Sequence, residues 1–173
     1  MQFGIMMRGQ FPAADSLAER FDELMAQARL IDELGYDSIT KGAHYSAGPL
    51  QDFQQIPFLS RLAGEAPRCR LNTGVCLLPL HKPLDIAEQV ATLDVMTNGK
   101  VIFGCGVGYR DVEFKAFGMD RSERGRRFEE NLDCVKRLWA GEVVSMKASH
   151  FELQEAMCSA LPVQRPHPPI WIG

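Results

Sequence analysis

Apolar residues along this chain fall into two alternating rhythms. Short apolar runs at Phe3–Met7, Tyr36–Thr40, Arg70–Leu78 and Val101–Val107 read as buried strands. Between them, apolar positions recur at spacings of three and four. Leu17, Phe21, Leu24, Ala28, Ile31 and Leu34 form one such stripe, with Asp15 or Ser16 to cap it and Gly35 to end it. Asp52 reads as the cap of a second helix, which tolerates Pro57 only in its first turn. Pro83 opens a third, with Ile86, Val90 and Leu93 on its inner face. Ser122 or Glu123 opens a fourth, carrying Phe128, Leu132, Val135, Leu138 and Trp139.

The segments between these elements read as connections. Lys41–Gln51 contains Gly42, Gly48 and Pro49 and reads as a loop; so does Tyr109–Asp120. Val144, Met146 and Phe151–Leu153 suggest a small hairpin, and Pro162–Pro169 a proline-rich connector. Ile170–Gly173 reads as the start of a fifth strand. Strand–helix alternation of this kind predicts a parallel sheet. An open doubly wound sheet and a closed barrel both satisfy it. No internal linker divides the chain, so residues 1–173 read as one domain.

Composition removes several function classes. The formal net charge of -3 leaves no basic footprint for nucleic acid. No apolar run approaches a bilayer span, and the start lacks the pattern of a secretion signal. Five widely spaced cysteines suit free thiols in a reducing cytoplasm. The histidines have no metal-ligand spacing, so no metal is expected. Gly104-Cys105-Gly106-Val107-Gly108 lacks the last glycine of a dinucleotide fingerprint, and no helix is expected directly after it.

Several strings, in order, resemble one family. Glu33-Leu34-Gly35-Tyr36-Asp37-Ser38-Ile39 comes first. Thr73-Gly74-Val75-Cys76-Leu77-Leu78-Pro79-Leu80-His81-Lys82-Pro83 follows, then Ala87-Glu88-Gln89-Val90-Ala91-Thr92-Leu93-Asp94. Gly104–Tyr109, Glu113–Gly118, Arg124–Phe128, Leu138–Glu142 and Pro168–Gly173 complete the series. Together they are similar to the bacterial-luciferase-like flavin-dependent monooxygenases and their deazaflavin-dependent relatives. The resemblance implies a (β/α)8 TIM barrel, of which this chain supplies about the first half, so a fragment of a longer polypeptide is expected. It also implies reduced FMN and oxygen acting on a small organic substrate, and a homodimer. Deazaflavin-dependent hydride transfer and a non-catalytic flavin-binding partner subunit are the alternatives.

Barrel sites lie at the C-terminal ends of the strands. That rule, with the resemblance, assigns flavin contacts to Met7, Thr73, Gly74, Val75, Gly106, Val107, Gly108 and Tyr109. In the family, the segment around Gly74 bulges and often carries a non-proline cis peptide. His44, just past the second strand, is the candidate catalytic residue, able to pass a proton near neutral pH. The family often places an acidic residue or a second histidine beside it, where this chain has Gly42-Ala43. Arg8 and Arg110 are candidates for a phosphate or an acidic substrate. Tyr45–Asp52 reads as a substrate lid, Cys105 as a buried structural thiol, and Trp171 as barrel filling.

Overall fold

In a computed structural model, which describes residues 1–42 and 44–173, five parallel strands lie side by side in the order of the chain. They are β1 (Gly4–Met7), β3 (Ser38–Lys41), β5 (Arg70–Thr73), β7 (Val101–Gly106) and β10 (Ile170–Ile172). Ile5 pairs with Ile39, Ile39 with Leu71, Leu71 with Val101, and Ile170 with Phe103. This order decides between the two architectures left open by the sequence. A doubly wound sheet reverses direction at a switch point, whereas a barrel adds each strand to the same side. The order here never reverses, as in the first half of a barrel.

Helices α1 (Leu17–Glu33), α2 (Gln55–Glu65), α3 (Pro83–Met96) and α5 (Arg124–Trp139) connect these strands and cover one face of the sheet. Ile39, Leu71, Val101, Phe103 and Cys105 point into that layer and are fully buried. They meet Leu24 and Ala28 of α1, Leu59 and Leu62 of α2, Ile86 and Val90 of α3, and Leu138 and Trp139 of α5. Trp139 packs edge-on against Phe103 at 5.3 Å and donates its indole N–H to the Ala87 carbonyl at 3.0 Å. The opposite, concave face is open. Met6, Ser38, Thr40, Arg70, Ile102 and Trp171 line it, and Trp171 is 55% exposed there.

The strand and helix cores match the apolar rhythms, and the differences have physical reasons. Ser16 caps α1 through the Glu19 N–H, as its position suggested. Asp52 does not cap α2, which begins at Gln55. It lies instead in β4 (Leu50–Asp52), antiparallel to β2 (Gln10–Pro12), and pairs with Lys41. The run Arg70–Leu78 is broken at Gly74–Val75, which carries a cis peptide, and resumes as β6 (Cys76–Leu77) alongside β7. The segment read as a loop through Asp120 contains α4 (Asp111–Ala116), so a helix does follow the glycine-rich strand end. The hairpin is present as β8 (Val144–Lys147) and β9 (Glu152–Ala156). Among the described residues, no helix is long and apolar enough to cross a membrane.

One buried carboxylate ties the C-terminal end of α1 to the segment that leads into β5. Asp32 on α1 accepts hydrogen bonds from the Arg68 N–H at 2.8 Å, the Arg68 guanidinium at 2.9 Å and the Cys69 N–H at 3.2 Å. Burial alone would raise its pKa, but the hydrogen bonds from Arg68 outweigh it and hold the carboxyl below its ordinary 3.8. The resulting stabilisation is complete above that value and is lost as pH falls through the lower folded-state value. Asp32→Asn is therefore expected to cost about 1–3 kcal/mol at pH 7. Urea unfolding of both proteins across pH checks this: the gap should narrow only in strong acid, and a gap independent of pH would contradict it.

Candidate active site

Because the five strands are parallel, their C-terminal ends share one rim. Met7, Lys41, Thr73, Gly106 and Ile172 end them there. A cavity of about 680 Å³ opens at this rim. Met6, Met7, Val75, Leu77 and Val107 give it apolar walls, and Gly9, Gly42, Gly74 and Gly108 leave backbone bare within it. His44, Arg8 and Asp52 supply its charged and titratable groups. A second cavity of about 510 Å³ lies between α4 and the start of α5. Asp111, Lys115, Asp120, Arg121 and Arg124 line it, Arg121 pairs with Asp111 at 2.9 Å, and it touches no strand end. The rim cavity has the apolar walls and few convergent polar groups of a small-molecule site.

Two buried carboxylates hold His44. Asp52 accepts its backbone N–H at 3.0 Å. Asp52 is held in turn by the ammonium of Lys41, which is fully buried, at 2.9 Å. Lys41 also donates to the carbonyls of Gly42 and, at 3.0 Å, of Phe53, so all three of its N–H groups have acceptors. That satisfaction is what allows a buried ion pair to persist. The second carboxylate is Glu113 of α4, 1% exposed, whose Oε1 lies 3.0 Å from His44 Nδ1. A carboxylate only accepts, so in this contact Nδ1 carries a hydrogen; in the neutral ring that leaves the lone pair on Nε2. The same Oε1 accepts the Tyr45 N–H at 3.1 Å, and Arg110 stands 3.6 Å away.

Sequence reading did not find Glu113. It expected the partner of His44 at positions 42–43, of which Ala43 lies outside the described residues, and took its absence to weaken the histidine as a base. The partner comes instead from 69 residues further along the chain. The usable signal was its place in the segment that follows a strand end, where barrel sites gather their groups.

The other expected contacts divide. Met7, Gly74, Val75, Val107, Gly108 and Tyr109 line the cavity with His44. Thr73 and Gly106 do not. Thr73 is buried with its hydroxyl donating to the Gly104 carbonyl at 2.8 Å, and Gly106 is enclosed by Val75 and the Gly173 carbonyl. Arg8 reaches the cavity, whereas Arg110 sits behind His44 next to Glu113. Cys105 is fully buried, and burial pushes its thiol up to about 12, so it stays protonated. No motif marked Lys41 or Leu77 as site residues, and Asp52 read as a helix cap and the end of the lid.

Known proteins resemble this chain in sequence and in fold. Residues 1–173 match the family model described as luciferase-like monooxygenase. Limonene 1,2-monooxygenase from Rhodococcus erythropolis is 33% identical over 132 residues, which are 76% of this chain and 34% of that protein. The crystal structure of monooxygenase RslO1 from Streptomyces bottropensis superposes with a TM-score of 0.88 at 31% identity, over 99% of this chain and 53% of that one. The oxygenating constituent of 3,6-diketocamphane monooxygenase from Pseudomonas putida, solved in complex with FMN, shares the fold at 18% identity and a TM-score of 0.87. It is covered over 51% of its length, against 99% of this chain. The chain thus spans about a third of the curated relative and about half of each structure.

Proposed function

The chain belongs to the luciferase-like monooxygenase family, and from that premise we propose that it forms the His44 side of a flavin site in an FMN-dependent monooxygenase. The observation that carries the reading is the rim cavity, with His44 fixed by Glu113 at its edge. The cavity suits a flavin ring. Its volume lies within the usual range for a cofactor pocket, its walls are apolar, and its five lining glycines, Gly173 included, let a flat ring approach the backbone. Gly74, Val75 and Leu77 would flank the ring on one side, and Val107, Gly108 and Tyr109 on another. FMN in the structurally similar 3,6-diketocamphane enzyme supports this choice of cofactor.

Bound reduced flavin would supply the electrons that activate oxygen. The chain's own residues do the rest. The apolar walls exclude water. Glu113 keeps the hydrogen of neutral His44 on Nδ1, so Nε2 is free to accept a proton from a group in the cavity and later return it. Asp52 and Lys41 keep the backbone of residue 44 at the rim. The substrate is a small organic molecule entering past the lid at residues 45–52. Pairing of two copies and residence in a reducing cytoplasm belong to the same proposal. All five cysteines are unpaired and buried, which suits that compartment.

Fluorescence titration with FMN, followed by oxygen uptake with reduced FMN and a panel of small organic substrates, tests the reading. Saturable FMN binding and substrate-dependent oxygen uptake are expected. Binding of a deazaflavin cofactor without FMN would overturn it in favour of hydride transfer. Light scattering on the same sample reads the pairing of copies.

A further inference from the structure

Beyond the His44–Glu113 contact, the structure carries a second pair of titratable side chains beside the site. Tyr45 Oη lies 3.3 Å from His81 Nε2. We propose that Tyr45 is a positioning residue for His44, holding the loop that carries both against the turn before α3 through its pair with His81.

Three contacts from three parts of the fold converge on Tyr45. Its N–H donates to the same Glu113 oxygen that His44 Nδ1 faces, so displacement of residue 45 disturbs the histidine's own bond. Its ring meets Phe117, at the end of α4, edge-on at 4.7 Å. Its hydroxyl reaches His81 across 36 residues of chain. Burial pushes the Tyr45 phenol up to about 12, so it keeps its hydrogen. Burial lowers the His81 imidazole, with Asp85 opposing it, which favours the neutral ring. With the His81 hydrogen on Nδ1, Tyr45 donates and Nε2 accepts.

The far end of the latch is tied to α5. The His81 carbonyl accepts from Asn131 Nδ2 at 3.0 Å, and the Leu78 carbonyl accepts from the same nitrogen at 2.8 Å. Asn131 is fully buried on α5, and its Oδ1 faces His150 Nε2 at 3.0 Å. The His81 turn is therefore bolted to the helical layer, and Tyr45 carries that rigidity to the residue beside His44. A side chain placed this way sets where His44 stands without touching the reacting atoms.

The role rests on the proposed function only for its effect on turnover, so the test includes a reading that needs no flavin. Tyr45→Phe keeps the ring on Phe117 and removes the hydroxyl. His81→Leu removes the acceptor, and His81→Gln restores one. In the intact protein, the ring-nitrogen NMR shifts of His44 should report the Nδ1–H form in wild type and His81→Gln. They should drift towards the average of both tautomers in Tyr45→Phe and His81→Leu. Where turnover is measurable, each of those two variants should lower kcat about three- to tenfold, the worth of one neutral hydrogen bond, with flavin affinity unchanged and Tm lower by about 2–4 °C. The double variant should lose no more than either alone. Unchanged His44 shifts in Tyr45→Phe, or additive losses in the double variant, would overturn the proposal. Absence of oxygen chemistry in the wild type would count against the proposed function and leave the NMR result to decide this one.

Discussion

His44→Ala is expected to lower turnover by about 10²- to 10⁴-fold, the usual worth of a positioned acid or base. Flavin affinity should change little, because the cavity walls belong to Met6, Met7, Val75, Leu77 and Val107. Glu113→Gln should fall between the variant and the wild type, about 10- to 100-fold down, the range seen when the group that orients an imidazole is removed. The reason is specific. Glutamine offers either a carbonyl or an amide to Nδ1, so it no longer dictates which ring nitrogen carries the hydrogen. Steady-state turnover at saturating flavin, with the flavin dissociation constant measured separately, checks both. Equal turnover in His44→Ala and wild type would remove His44 from the chemistry.

Gly104→Ala should be the most damaging single methyl group in the chain. A Cβ there would stand 2.0 Å from the Thr73 carbonyl oxygen and 2.8 Å from Asn72 Oδ1. The first is backbone in a paired strand, with no rotamer to yield. Relief requires β5 and β7 to part, at a cost on the order of 3 kcal/mol, the upper end for overfilling a packed interior. The same strand leads into Val107–Tyr109, so the cavity wall shifts with it. Gly125→Ala is the control. It sits on α5 with nothing within 4 Å of the added carbon, and the helix should gain about 0.5–1 kcal/mol. Urea unfolding of the two variants should move in opposite directions. Equal small shifts would contradict the close approach of β5 and β7.

These two predictions draw on parts of the molecule that differ in how far the sequence exposes them. The helical layer was legible, because stripes such as Leu24, Ala28 and Ile31 repeat over several turns and each burial reinforces the same period. The barrel-like strand order was not readable from alternation, which fits an open sheet equally well; the resemblance supplied it, and the unreversed strand path agrees. Short elements escaped. Helix α4 has six residues, less than two turns, too few to show a period. Strands β2 and β4 have three residues each and make their pairing across some forty positions.

At the site, residue type alone was ambiguous. An aspartate before a helical stripe reads as a cap, but Asp52 answers a buried ammonium, and nothing local distinguishes the two roles. His44, Gly74 and the Val107–Tyr109 segment line the cavity at strand ends, which the fold rule names in advance. Thr73 and Gly106 lie outside it: the Thr73 hydroxyl turns to the Gly104 carbonyl, and Gly106 is enclosed by Val75 and the Gly173 carbonyl. Glu113 was hidden by distance. A partner supplied by another strand end leaves no spacing to read beside His44.

In the proposed function, one cavity at the strand ends receives the flavin. Amide NMR shifts of the isotopically labelled protein, followed as FMN is titrated in, test that most directly. The largest changes should fall together at Gly9, Gly42, His44, Gly74, Val75, Gly108 and Tyr109, which line one cavity. Changes confined to the charged hollow of Asp111–Arg124, or to the concave sheet face around Thr40 and Ile102, would contradict it.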